Sequence, residues 1–199
     1  MRIGIDLDGC LTDEHGFIID YGTKYFSNNN IKYCLHNDVY DSKEIFEVTE
    51  EQYNQFWKDN LFDYSKNISI RPFAANVINK LKDNNEIYII TARYLTTYEN
   101  ENKEKMQNIV KEWLKLNNVL YDEVIFSEDK VNVCENLKID IMIEDKPENI
   151  LLISNKIPVI CYNHPYNEKL HKDNIIRCHS WYDIYAKIKN FEIIKNSIK

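Results

Sequence analysis

Asp6-Leu7-Asp8-Gly9-Cys10-Leu11-Thr12 follows directly on the short apolar run Ile3-Gly4-Ile5. The run reads as a buried strand bounded by a turn. Two carboxylates therefore stand at the carboxyl end of a strand, where open α/β sheets bind ligands. At about 4 Å, such a pair repels by roughly 4 kcal/mol at an effective dielectric of about 20. It needs a cation, a shared proton or full solvation, and a divalent metal with a phosphate would satisfy it. A calcium loop does not fit, because it would need Gly in place of Leu11, an oxygen ligand in place of Cys10 and Glu in place of Phe17. A solvated strand end stays open on these residues alone.

Working outward, further short Ile- and Val-rich runs are expected as strands at 2–6, 86–91, 123–126, 140–144, 158–162 and 174–178. Helical spacing lies between them. Pro72 is expected as a first-turn proline of a helix over 72–83. Over 99–116, Met106, Ile109, Val110, Trp113 and Leu114 share one face, with Glu101 and Lys105 as an i,i+4 pair. Shorter helices are expected at 130–137 and 147–154, and a terminal one at 180–191. Strands alternating with helices predict a parallel sheet with right-handed crossovers, an α/β fold.

Residues 14–70 break the alternation. They are rich in Tyr, Phe and Asn and hold no convincing strand. Thr49-Glu50-Glu51-Gln52 fits a capping box. The segment reads as a helical insertion that leaves from the turn after Asp8 and sits over the aspartates as a cap. The expected organisation is a core of 1–13 and 71–199 with a cap of 14–70.

Composition narrows the class. With 44% apolar and 29% charged residues, the 199-residue chain is an ordinary globular one. A net charge of −7 argues against a nucleic-acid polymer or a membrane surface as partner, but not against a small phosphorylated substrate. No run approaches the roughly 20 apolar residues of a membrane helix, and Asp6 and Asp8 interrupt any N-terminal signal core. The five cysteines (Cys10, Cys34, Cys134, Cys161, Cys178) lack a C-x-x-C pair. Reduced thiols and a cytoplasmic location are the expectation.

Three more signals fall at strand ends. Thr91 closes Ile87-Tyr88-Ile89-Ile90 and precedes Ala92-Arg93; its hydroxyl suits a phosphate oxygen, or a helix cap. Lys130 follows Ser127-Glu128-Asp129 at a helix start. Glu144-Asp145 closes Ile139-Asp140-Ile141-Met142-Ile143, a second acidic pair before a helix begun by Pro147.

In this order the four signals resemble the haloacid dehalogenase-like superfamily of phosphohydrolases, over residues 1–13 and about 71–162. Its D-x-D motif matches Asp6-Leu7-Asp8, its Thr/Ser matches Thr91, its Lys matches Lys130 and its acidic pair matches Glu144-Asp145. Within the superfamily, Ile143-Glu144-Asp145-Lys146-Pro147-Glu148-Asn149, the segment Asn163-His164-Pro165-Tyr166-Asn167 and the early insertion are similar to the 5′(3′)-deoxyribonucleotidase group. Departures are Cys10, a small residue with little expected effect, and Glu144 in place of Asp.

The resemblance implies a Rossmann-like three-layer core and phosphoryl transfer through an aspartyl-phosphate. Asp6 would be the nucleophile and Asp8 the general acid and base. Mg²⁺ would be held by Asp6, the Asp8 carbonyl and Asp145, with Glu144 behind them. Thr91 and Lys130 would grip phosphoryl oxygens. Ala92 and Arg93 would line the substrate, although Arg93 on its own reads as a surface salt bridge. Tyr21, Tyr25, Phe26, Tyr40, Phe46, Tyr53 and Trp57 are candidates to stack on a base, most of them instead packing the insertion. The implied substrate is a (deoxy)nucleoside monophosphate. The alternatives are another small phosphorylated metabolite, or a non-catalytic phosphate-binding protein. The competent residues at every catalytic position weigh against the latter. Oligomeric state is not legible.

Overall fold

The computed structural model describes residues 1–197; residues 198 and 199, the end of the expected core, lie outside the described residues. Six parallel strands form one sheet: β1 (Arg2–Ile5), β2 (Glu86–Thr91), β3 (Glu123–Phe126), β4 (Ile141–Glu144), β5 (Val159–Tyr162) and β6 (Ile175–Cys178). They run in the order β3-β2-β1-β4-β5-β6. The chain builds outward from β1 to β3, then returns to β1's other side with β4. That reversal opens a crevice at the carboxyl ends of β1 and β4. Ile5 pairs with Ile89 on one side and Ile143 on the other, and the Asp6 amide donates to the Ile143 carbonyl at 2.9 Å. Register therefore brings Asp6 level with Glu144.

Alternation within the strands sorts the two faces. Ile3, Ile5, Ile87, Ile89, Ile141 and Ile143 pack against α3 (Ala74–Lys82), α4 (Lys103–Leu116) and α7 (Trp181–Ser197). Tyr88, Ile90, Met142, Val159 and Cys161 pack against α5 (Lys130–Asn136) and α6 (Pro147–Ile153). This is the expected α/β three-layer, Rossmann-like core.

Between β1 and α3 lie α1 (Glu14–Asn28) and α2 (Glu50–Asn67). Their own cluster of Phe17, Ile18, Phe26, Ile45, Phe46, Phe56 and Tyr64 is separate from the sheet's two. The Thr49 capping box forms, with Gln52 N donating to Thr49 Oγ1 and Thr49 N to Gln52 Oε1. Leu61 of α2 packs with Met106 and Ile109 of α4.

Two helix starts differ from expectation. Pro72 does not begin α3: Ala74 N donates to the Arg71 carbonyl across a turn, and Phe73 is left-handed at φ +65°. Likewise α4 begins at Lys103 rather than 99, because the Asn100 side chain ties up the Leu95 and Tyr98 carbonyls and accepts from Asn102 N. Glu101 is thereby outside the helix. Lys103 pairs with Glu99 instead, and Lys105 lies 4.0 Å over the Phe62 ring.

Candidate active site

The acidic motif owes its shape to one glycine. Gly9 has φ +80°, and a Cβ there would stand 2.1 Å from Asp145 Oδ2. Only a residue without a side chain turns the chain here while letting the β4 carboxylate approach it. The loop is pinned further by Arg71 Nε, which donates to the carbonyls of Gly9 and Thr12, and by Trp181 Nε1 donating to the Cys10 carbonyl.

Asp6, Glu144 and Asp145 form a buried cluster with ligand atoms within 4.8 Å of one another. Lys130, only 4% exposed, reaches in from the start of α5, with Nζ 2.7 Å from Asp6 Oδ1 and 2.8 Å from Glu144 Oε2. Glu144 is fully committed: it also accepts from the amides of Asp145 and Lys146 and from Asn149 Nδ2. Burial alone would raise its pKa, yet Lys130, a hydrogen bond with Asp6 and the Lys146 amide hold it below the ordinary value. Asp6 is pushed well above its ordinary value by burial and then by the Glu144 charge. Asp145 is pushed up to about 7 by burial and again by Glu144. Tyr166 Oη donates to Asp145 Oδ2 at 2.5 Å and the Cys10 thiol to Oδ1 at 3.7 Å. Cys10, expected to matter little, thus touches a site carboxylate.

Asp8 lives in a different field. Arg93 donates to both of its oxygens, from Nε at 2.9 Å and from Nη2. Tyr64 Oη donates to Oδ1 at 2.5 Å and Thr12 Oγ1 at 3.3 Å. Burial raises the Asp8 pKa, but the guanidinium outweighs it and leaves the carboxyl below its ordinary value. Arg93 is not the surface ion pair expected of it. It is 4% exposed, with its guanidinium 5.1 Å from the Tyr64 ring centre. Thr91 Oγ1 accepts from Arg93 N at 3.1 Å, which shapes the turn and leaves the hydroxyl hydrogen for a ligand.

Two adjoining cavities open over these groups. One, of about 490 Å³, is lined by Asp6, Asp8, Thr91, Ala92, Arg93 and Lys130, among others. The other, of about 870 Å³, reaches toward Tyr40, Tyr53, Trp57 and Tyr64. Of the insertion's candidate aromatics, Tyr40, Tyr53 and Trp57 face this second cavity. Phe26 and Phe46 are core, Tyr21 stacks on Phe17 and Tyr25 bonds Asp59. Glu14, Tyr64, Tyr166 and Asn149 were not singled out from the sequence. Asn149 and Tyr166 sit inside quoted motifs, whereas Glu14 and Tyr64 carried no signal in isolation.

A parallel sheet with this strand order and helices on both faces has the fold of haloacid dehalogenase-like hydrolases. A hydrolase of that family from Streptococcus pneumoniae superposes with TM-score 0.63 at 15% identity, covering 94% of this chain and 97% of that one. Residues 1–193 match the family described as "5′ nucleotidase, deoxy (Pyrimidine), cytosolic type C protein", and the chain belongs to it; it is a phosphoric monoester hydrolase. A Clostridium acetobutylicum nucleotidase is 28% identical across 94% of this chain and 92% of its own length. A Bacillus subtilis protein named "Putative nucleotidase" is 29% identical across 96% and 94%. No helix among the described residues is long and apolar enough to cross a membrane.

Proposed function

We propose that the chain is a Mg²⁺-dependent phosphohydrolase that works through an aspartyl-phosphate on Asp6 and releases phosphate from (deoxy)nucleoside monophosphates. The observation that carries the reading is the buried cluster of Asp6, Glu144 and Asp145 around Lys130. Three carboxylates against one ammonium leave two negative charges, which the raised pKa values of Asp6 and Asp145 register as unmet. A small divalent cation with oxygen preference fits that deficit. Asp6, Asp145 and the Asp8 carbonyl would hold it, with Glu144 occupied by Lys130. Bound there, Mg²⁺ would supply charge neutralisation on the phosphoryl oxygens.

The remaining chemistry belongs to the side chains. The Asp6 carboxylate attacks phosphorus, forming a P–O bond as the bond to the leaving oxygen breaks. Asp8 gives that oxygen a proton, then takes one from the water that cleaves the acyl phosphate. In the free protein Arg93 and Tyr64 keep Asp8 ionised. A phosphoryl dianion arriving in the cavity beside Asp8 raises the proton affinity of that carboxyl by like-charge repulsion. Thr91 and Lys130 hold phosphoryl oxygens as charge develops.

In this reading 1–13 with 71–199 is the catalytic core and 14–70 the cap. The aromatic cavity suits a base, and cap closure excludes large phosphorylated proteins. The test is Mg²⁺-dependent hydrolysis of phenyl phosphate, followed by a panel of nucleoside 5′- and 3′-monophosphates, small metabolite phosphates and a folded phosphoprotein. Nucleotides are expected to give the highest kcat/KM. If a metabolite phosphate wins, the reaction stands and the substrate class changes; if the phosphoprotein wins, the cap reading fails.

A further inference from the structure

Glu14 and Arg93 each line both cavities, which places them where the phosphate-bearing space meets the aromatic one. Each feels the charge of the other. Glu14 is the first residue of α1, but Asp13 does the capping, by accepting from Gly16 N. The Glu14 carboxylate is thus released from helix duty, and no donor bonds it among the described residues. Glu14 is half-buried, and burial, then the charge of Asp8, raises its pKa well above the ordinary value. Arg93 presents the converse. Its Nε and Nη2 are spent on Asp8, while Nη1 is buried with no acceptor.

An acceptor lacking a donor beside a donor lacking an acceptor is complementary to a hydroxyl, which does both. An ammonium would satisfy Glu14 and confront Arg93 with a second cation. A pure acceptor would satisfy Arg93 and face the oxygens of Glu14. We infer that Glu14 and Arg93 Nη1 read a hydroxyl on the alcohol half of the phosphate ester, so that this pair of residues sets how strongly the enzyme prefers a hydroxylated leaving group over its deoxy counterpart. This rests on the phosphohydrolase reading and names a specificity-determining pair of that same site; it does not require a base.

The experiment compares kcat/KM within two substrate pairs: glycerol 1-phosphate against n-propyl phosphate, and thymidine 5′-monophosphate against its 3′-deoxy analogue. The hydroxylated member is expected to win by at least about tenfold in wild type, the worth of a hydrogen bond to a charged group. Glu14→Leu is expected to bring the ratio to within about twofold of unity. Glu14→Gln, which keeps an acceptor oxygen at the same reach, should give an intermediate ratio, and it serves as the deciding variant if Glu14→Leu does not fold. Discrimination in the glycerol pair with thymidine 5′-monophosphate the poorer substrate supports the hydroxyl reading and overturns only the nucleotide one. Wild-type ratios near unity in both pairs, or ratios unchanged within twofold in both variants, overturn the inference.

Discussion

Arg93 grips both carboxylate oxygens of Asp8 from a position 85 residues away in the chain. This fork sets the resting protonation of the proposed general acid. Arg93→Leu should release Asp8 to burial and raise its pKa, because the guanidinium now outweighs the cost of burying the charge. The alkaline limb of the pH–rate profile, where the general acid loses its proton, should move to higher pH, with kcat for alkyl esters down by about 10²-fold or more. Removing one partner of a buried pair should also lower stability by about 3–5 kcal/mol. The profile and a thermal melt check the two effects separately.

Asp6→Asn is nearly isosteric and should abolish turnover while the fold persists. Retention of more than a few per cent of activity in a pure sample would remove Asp6 as nucleophile. Asp145→Ala should erase the Mg²⁺ dependence of both activity and melting temperature. Glu144→Ala should leave more of the Mg²⁺ response, since Glu144 is engaged by Lys130, Asn149 and two amides. If the order is reversed, the ligand assignment is reversed with it.

Gly9→Ala should be costly out of proportion to one methyl group. The left-handed backbone is strained for alanine by about 1–3 kcal/mol, and the added carbon would displace the Asp145 carboxylate. Calorimetry is expected to show the stability loss, and titration with Mg²⁺ a weakened stabilisation.

His164 offers a pH test on a group other than a carboxylate. Its Nε2 lies 3.0 Å from the Gly9 carbonyl, its ring stacks on Tyr166, and burial lowers its pKa to about 4. The unfolded chain takes up a proton near pH 6.5 that the folded one refuses until about 4. Stability from this residue therefore falls as pH drops through that window, by up to about 3 kcal/mol. His164→Phe keeps a stacking ring and should flatten that part of the stability–pH curve in denaturant titrations.

What the sequence made legible follows from periodicity and position. Ile87 to Ile90 and Ile141 to Ile143 announced strands, and the polar residues that close them announced a crevice. The sheet order made Asp6, Thr91, Lys130 and Glu144 neighbours, as the strand-end reading anticipated. Pairings between elements were not legible. Nothing in Tyr64 or Arg93 signals that each ends on Asp8, since helix spacing fixes a face and not the partner across it. Phe73 is illegible for a local reason: a bulky left-handed residue gives no turn signal of the kind Gly or Asn gives, so Pro72 reads as a helix start.

The central strand β1 comes first in the chain, yet its partners arrive late: Ile3 pairs with Ile87 and then with Ile141, and the Cys10 carbonyl waits for the indole of Trp181. Contacts so remote in sequence carry a large loop-closure cost and form slowly. A nascent chain thus displays Asp6, the proposed nucleophile, long before anything can hold it in place. Ribosome-bound chains arrested ahead of residue 141 should neither bind Mg²⁺ nor turn over phosphate, and activity should appear only once β4 and α7 have emerged. Synthesis itself would then keep that carboxylate silent until the crevice around it is complete.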